Sequence, residues 1–188
     1  MKRITRADIE DMRCAGCDRS VLAEAEAWLL VCERADELIA KISAAFAGVA
    51  LGNGIGLRES DGIDGYMGTE ALRQLRETDE KLDWQRIDPE LLTYCNAAPS
   101  FLDAEGMRFH TPAFIVAELR GQYHVGFVDR LIDNSLGAPE FIDLLSPDQR
   151  HAIMSCISFY GSIYGFDFDP NEISNALTRY SNAGLPKN

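Results

Sequence analysis

The sequence has few basic residues and no long apolar run, and both absences exclude classes of protein. Lys and Arg number 18 against 30 Asp and Glu, which gives a formal net charge of −12. Nucleic acid and anionic membrane surfaces are poor partners for such a chain, because both attract clustered positive charge. The longest uncharged segments, 42–57 and 151–166, are shorter than the roughly 20 apolar residues of a membrane-spanning helix. We expect neither partner.

Cysteines are few, and no export signal is visible. The five Cys are odd in number and do not have the spacing of a small secreted disulfide framework. Cys32, Cys95 and Cys156 have apolar neighbours, so we expect buried thiols. Residues 1–11 carry three acidic side chains where a signal peptide needs an apolar core. These features predict a cytoplasmic protein.

The prolines predict a chain of helices. Proline is favoured at the first helical position, because its φ is already helical and its missing N–H would be unpaired there. Five of the seven prolines stand where a helix can begin. Two of these starts, Ser146–Gln149 and Asp169–Glu172, also have the sequence of a capping box. The five predicted starts are Pro89, Pro112, Pro139, Pro147 and Pro170.

Hydrophobic periodicity supports the same fold class. Residues 18–46 repeat apolar side chains at steps of three and four, as one long amphipathic helix does. Residues 151–164 are apolar over most of a helical surface, which predicts the central buried helix. The glycine-rich segment 48–68 is expected to be a connector. The prediction is a mainly α, compact multi-helix domain, with at most a small β hairpin between 107–109 and 123–128.

Negative charge is concentrated in the middle of the chain. Residues 59–105 hold twelve acidic and four basic residues. Such a segment is either a solubilising face or a docking surface for a basic partner, since complementary charge speeds encounter and selects partners. Exposed aromatic residues would then anchor the partner. The candidate partner-binding residues are Asp61, Asp64, Tyr66, Glu77, Asp79, Glu80, Asp83 and Trp84.

No residue pattern predicts a catalytic site or a cofactor. Cys14 and Cys17 form a CxxC, which is compatible with a metal site, a redox pair or two incidental thiols. A second ligand pair for zinc does not follow. Segment 52–56 is rich in glycine but lacks the Lys-Ser/Thr of a phosphate-binding loop. His110 precedes the predicted helix start at Pro112, where it is either structural or a ligand or general base.

Residues 100–114 carry a resemblance to a known family. They form the sequence S-F-L-D-A-E-G-M-R-F-H-T-P-A-F, which resembles the core of an uncharacterised bacterial domain family. Segments 44–46, 83–91 and 144–159 resemble further parts of that family. The resemblance implies three regions: an N-terminal helical extension (1–37), a helical core domain (38–165), and a C-terminal helix and tail (166–188).

The segment also predicts a local structure. Residues 103–106 are expected to form a polar turn in which Gly106 takes a positive φ. Arg108 would then pair with Asp103 or Glu105, and the turn is either structural or part of a partner site.

Three hypotheses follow. The first, which we favour, is a non-enzymatic acidic interaction protein without a cofactor, most specifically an immunity protein that binds and neutralises a basic bacterial toxin. This form comes from a resemblance to the small acidic proteins encoded beside such toxins. The second is a metal- or thiol-dependent enzyme that uses Cys14 and Cys17. The third is a helical scaffold or homodimer that associates through residues 151–164.

Overall fold

The chain folds into helices. The structure, a computed structural model, describes residues 1–164 and 168–183. Within these residues there are nine α-helices and no strand, so the mainly α prediction is confirmed. Segment 107–109, the first half of the predicted hairpin, is helical. In order, α1 to α9 are Arg6–Cys14, Arg19–Ala45, Leu57–Asp64, Thr69–Thr78, Pro89–Tyr94, Ala104–Leu119, Phe127–Asp133, Pro147–Tyr164 and Pro170–Asn182; three 3-10 helices are Trp84–Arg86, Ala98–Ser100 and Pro139–Leu144.

Four of the five predicted proline starts are confirmed. Pro89, Pro147 and Pro170 open α5, α8 and α9, and Pro139 opens a 3-10 helix. Both predicted capping boxes form. At α8 the Ser146 N–H donates to Gln149 Oε1 (3.0 Å) and the Gln149 N–H donates to Ser146 Oγ (3.2 Å). Local sequence therefore determines these helix starts.

The prediction for Pro112 was wrong. Pro112 lies inside α6, which begins eight residues earlier at Ala104. The true cap is Asp103, whose Oδ1 accepts the Gly106 N–H at 2.8 Å. Gly106 is therefore a first-turn helical residue without a positive φ, which also corrects the predicted polar turn. An internal proline removes one helical hydrogen bond and crowds the preceding turn, and tertiary packing of α6 offsets that cost.

The central helix is α6 rather than residues 151–164. Thirteen of the sixteen residues of α6 are buried, compared with seven of the eighteen in α8. Helices α2, α5 and α7 pack around α6, together with the 3-10 helices 84–86 and 139–144. Helix α8 contacts α2, α7 and α9 but keeps polar positions such as Ser158 exposed. Its apolar composition did not distinguish a helix covered on one side from a helix covered all round.

The predicted glycine-rich connector contains a helix and a close backbone contact. Helix α3 occupies 57–64 within the segment 48–68. Before it, the loop 51–56 lies against the start of α6, where the Ile55 N–H donates to Asp103 Oδ1 at 2.9 Å. A Cβ on Gly54 would stand 2.5 Å from the Gly106 nitrogen. Glycine is required here because two backbones meet directly.

The terminal segments pack on the helical core. The Met1 ammonium donates to the Glu118 main-chain oxygen at 2.9 Å, and Arg3 donates to the main-chain oxygens of Cys32 and Leu119. Helix α9 packs against α7 and α8. The predicted domain boundaries stay a prediction, and residues 166, 167 and 184–188 of the predicted C-terminal region lie outside the described residues. In the described part of the chain, no helix has the length and apolar character to cross a membrane.

Glu118 is a buried carboxylate on the central helix. Its Oε2 accepts the N–H groups of Phe127 (2.8 Å) and Val128 (3.1 Å) at the start of α7. Burial raises the pKa of Glu118 to about 7, and nearby Asp129 raises it further against the effect of the two amide donors. Glu118 therefore satisfies the first N–H groups of α7, but keeping its carboxylate ionised in the core costs free energy.

We expect Gly54→Ala to destabilise the fold by about 3 kcal/mol, because the added methyl group overlaps backbone atoms that cannot rotate away. The measurement is the free energy of unfolding in urea. Gly68→Ala is the matched control. A Cβ at Gly68 meets nothing within 4 Å, so its effect should stay below about 1 kcal/mol. Equal effects of the two substitutions would contradict the proposed backbone contact.

We expect Glu118→Gln to be more stable than the parent by about 2 kcal/mol at pH 8, and no more stable at pH 4. The folded state holds the Glu118 proton more tightly than the unfolded state, so this group's contribution falls as pH rises from 4.5 to about 7. His110, whose pKa burial lowers to about 4, acts with opposite sign. The difference between the two unfolding curves therefore isolates Glu118, and a pH-independent difference would contradict this account.

Candidate functional site

Most carboxylates of the acidic segment 59–105 are used within the fold. Seven of the twelve accept main-chain N–H groups, two pair with Arg73, and only Asp61, Asp64 and Glu90 have neither a hydrogen bond nor an ion pair with a described residue. The Arg73 partners are Glu70 and Glu77. The seven that accept from the main chain are Glu59, Asp79, Glu80, Asp83, Asp88, Asp103 and Glu105.

Asp79 shows what these carboxylates do. It is buried, and its two oxygens accept the N–H groups of Arg58 (2.8 Å) and Glu59 (3.3 Å) at the start of α3. Burial raises the pKa of Asp79, and the two amide donors oppose that rise. A Cβ on Gly56 would overlap the Asp79 carboxylate. Asp79 is therefore a helix cap inside the fold and is not available to a partner.

The structure also removes Trp84 from the candidate surface. Trp84 is buried, and its indole N–H donates to the Phe46 main-chain oxygen at 3.0 Å. Arg108 forms no ion pair with Asp103 or Glu105, which corrects the predicted pairing, and its Nε is buried without a hydrogen-bond partner. Asp103 and Glu105 instead hold the loop before α3, where Glu105 Oε2 accepts the Asn53 N–H at 3.1 Å.

The remaining candidates meet at one end of a helical hairpin. Helices α3 and α4 pack against each other across Gly62, where a Cβ would overlap side chains of α4. Residues 65–68 join the two helices. Asp61 and Asp64 lie on α3 one turn apart, and Tyr66 and Met67 follow in the connection. We call residues 61–67 the hairpin tip.

Tyr66 is the most unusual residue of the hairpin tip. Its side chain is 97% exposed, and its φ of +55° is left-handed. Tyr66 N–H donates to the Ile63 oxygen (3.0 Å) and Met67 N–H donates to the Gly62 oxygen (2.9 Å). These two bonds form a Schellman motif, in which the left-handed position is usually glycine. Asn134, the other described non-glycine residue with positive φ, is of a type that tolerates this conformation.

The histidine and the CxxC cysteines lie elsewhere. His110 is buried in α6, and its Nδ1 lies 2.7 Å from the Gly106 oxygen, which can only accept. Burial lowers the pKa of His110 to about 4, so the ring is neutral with its proton on Nδ1. Cys14 is exposed and Cys17 half-buried, and both are free thiols. Among the described residues, no group of three or more His, Cys, Asp or Glu is arranged to hold a metal ion.

Sequence reasoning named Asp61, Asp64 and Tyr66 of the hairpin tip, but not Met67 and not the reason to single these residues out. Gly65 has a φ of −76°, so the left-handed conformation falls on Tyr66 and not on the neighbouring glycine. The predicted partner-binding set includes eight of the twelve carboxylates of 59–105, and five of those eight accept main-chain N–H groups. The missed signal is spacing, because an Asp directly before a short helical segment is also an N-cap, as Asp83 and Asp103 are.

We expect Tyr66→Gly to stabilise the fold by about 1 kcal/mol, because glycine takes the left-handed conformation without the steric cost that a side chain brings. Tyr66→Ala is the control. It removes the same exposed ring but keeps the strained backbone, so it should change stability by less than about 0.5 kcal/mol. Urea unfolding of both variants is the measurement. A destabilised Tyr66→Gly variant would mean that the ring makes contacts that stabilise the fold.

Comparison with known proteins shows the family of this chain. Residues 34–161 match a family of unknown function, DUF6714. No curated protein and no solved structure matches the chain. The matched range includes α3, α4 and the hairpin tip, whereas Cys14 and Cys17 lie before it. The match covers most of the sequence, and the chain therefore belongs to the DUF6714 family.

Proposed function

We propose that the protein is a non-catalytic interaction protein whose hairpin tip binds a basic protein partner. The observation that carries this proposal is Tyr66, a large aromatic side chain almost fully exposed in a backbone conformation that disfavours it. Tyrosine is among the residues most enriched in binding hot spots. A strained, solvated position gives the fold no benefit, so the benefit is expected in a complex.

The neighbours of Tyr66 indicate the chemistry of the partner. Met67 is 47% exposed and supplies a flexible apolar contact. Asp61 and Asp64 have no ion pair with a described residue, so their charges are available to a Lys or Arg of the partner. Exposed charges of this kind mainly accelerate association, while the aromatic anchor determines how long the complex lasts.

The more specific form of the proposal is an immunity protein. In this form of the proposal, the partner is a basic bacterial toxin. The hairpin tip binds and blocks the toxin in the cytoplasm, and this chain performs no catalytic step. The small size, the net charge of −12 and the solvated aromatic anchor support this form. Self-association through α8 has less support, because α2, α7 and α9 already pack against that helix.

The decisive experiment is a matched capture from host lysate with three tagged baits. They are the parent, Tyr66→Gly, and a control in which Asp11→Lys and Glu24→Lys change the net charge on α1 and α2. We expect a basic protein with the parent and the control, and about 30-fold weaker binding with Tyr66→Gly. Because Tyr66→Gly is predicted to be the more stable protein, its loss of binding cannot come from unfolding.

Two further measurements separate the parts of the proposal. With the captured partner purified, Asp61→Lys/Asp64→Lys should lower the association rate at about 50 mM salt, and this effect should shrink at about 500 mM salt. If the partner is a toxin, co-expression of the parent protein should protect the host from it, and co-expression of Tyr66→Gly should not. Equal capture by the parent and Tyr66→Gly would overturn the hairpin tip as the binding site.

A further inference from the structure

A second site lies at the C-terminal end of the central helix, around the buried carboxylate of Glu118. A cavity of about 260 Å³ opens there between the end of α6, the start of α7 and the end of α8. Glu118, Tyr160, Tyr164 and Phe168 are among the residues that line it. The proposed partner-binding surface includes none of them, so this cavity is independent of the proposed function.

Two polar groups, the Glu118 carboxylate and the Tyr160 hydroxyl, lie beside each other in the cavity wall. Glu118 Oε2 accepts two main-chain N–H groups, but Oε1 accepts no hydrogen bond of normal geometry from a described residue. Tyr160 is 4% exposed, and its buried hydroxyl interacts with the Glu118 side chain without reaching full hydrogen-bond geometry. The phenol lies close enough to Glu118 to affect its pKa. Buried polar groups are almost always fully paired, so the incompletely bonded Tyr160 hydroxyl and the acceptor capacity left on the Glu118 carboxylate point to a ligand in the cavity.

The wall also determines the charge and shape of that ligand. Asp129 at the rim adds a second carboxylate and raises the pKa of Glu118, so an anion is disfavoured. The rings of Tyr160 and Tyr164 lie 5.6 Å apart, and Phe168 lines the same cavity. Aromatic faces beside a carboxylate attract an organic cation, because the ring quadrupole presents negative charge to it.

We propose that this cavity binds a small organic ammonium ion, whose charge lies on Glu118 Oε1 and whose carbon atoms pack against Tyr160, Tyr164 and Phe168. The ammonium group donates to the carboxylate oxygen, and the Tyr160 hydroxyl donates to the same carboxylate or accepts from the ligand. The Met1 ammonium also lines the cavity. It donates to the main-chain oxygen of Glu118, and its charge interacts with the Glu118 carboxylate without a hydrogen bond to it.

The test uses butylammonium chloride as the probe, followed through the amide NMR signals of Phe127 and Val128, which bind Glu118 directly. We expect saturable shifts with butylammonium but none with 1-butanol, which has the same chain without the charge. Sodium chloride at matched concentration controls for ionic strength. Equal shifts with 1-butanol, or no saturable shift with butylammonium, would overturn the proposal.

Two variants and one control assign the binding to named groups. Glu118→Gln should weaken binding at least tenfold, and Tyr160→Phe should weaken it severalfold while leaving the fold intact. Glu37→Gln lies in a different groove, between α2, α8 and α9, and should bind like the parent. Unchanged affinity in Glu118→Gln and Tyr160→Phe would place the probe elsewhere and reject the site.

The pH dependence is a separate readout. Affinity for butylammonium should be about tenfold higher at pH 8 than at pH 6, as Glu118 ionises around pH 7. The other titratable groups facing the cavity are Asp129, His124, Tyr123 and the Met1 ammonium, with Cys156 behind Glu118. The same series in Glu118→Gln separates the contribution of Glu118 from that of these other groups. An identical pH dependence in that variant would contradict the role of Glu118.

Discussion

One carboxylate oxygen holds together two parts of the chain that are distant in sequence. Asp103 Oδ1 accepts the Gly106 N–H of its own helix at 2.8 Å and the Ile55 N–H of the loop before α3 at 2.9 Å. The loop can approach because Gly54 has no side chain, and Arg76 of α4 then binds the Gly54 oxygen. The position of the α3–α4 hairpin relative to the central helix therefore depends on this contact.

The acidic composition of the middle segment has a structural cause before it has a functional one. Short helices follow one another there, and each start leaves N–H groups that a side chain must satisfy. Asp83, Asp88 and Asp103 do this for the elements that they precede. A net charge accumulated in this way is not by itself evidence for a docking surface, because the fold already uses these carboxylates. What remains for a partner is the smaller set around Tyr66.

The sequence predicted the elements better than their arrangement. Capping residues and prolines act within a few positions, so the starts of α5, α8 and α9 could be predicted. Pro112 was misplaced because only the packing around α6 makes an internal proline tolerable. The burial of Trp84 and the exposure of Tyr66 depend on contacts with distant segments, which local patterns do not contain. Sequence alone could name Asp61, Asp64 and Tyr66 as candidates, but it could not rank them above the other candidate residues.

Two positions conflict with the local rules that the rest of the fold follows. Tyr66 takes a left-handed conformation that suits glycine, and Glu118 keeps a carboxylate in the core where burial opposes its charge. Each has a simple replacement, glycine or glutamine, that would remove the conflict without changing the helices. If stability were the only requirement, glycine and glutamine would be expected at these two positions, since most other helix ends and core positions of this fold have residues that suit them. Local conflicts that persist in an otherwise consistent fold concentrate at functional sites. The same physical argument therefore selects the hairpin tip and the Glu118 cavity, although Tyr66 is fully solvated and Glu118 is buried.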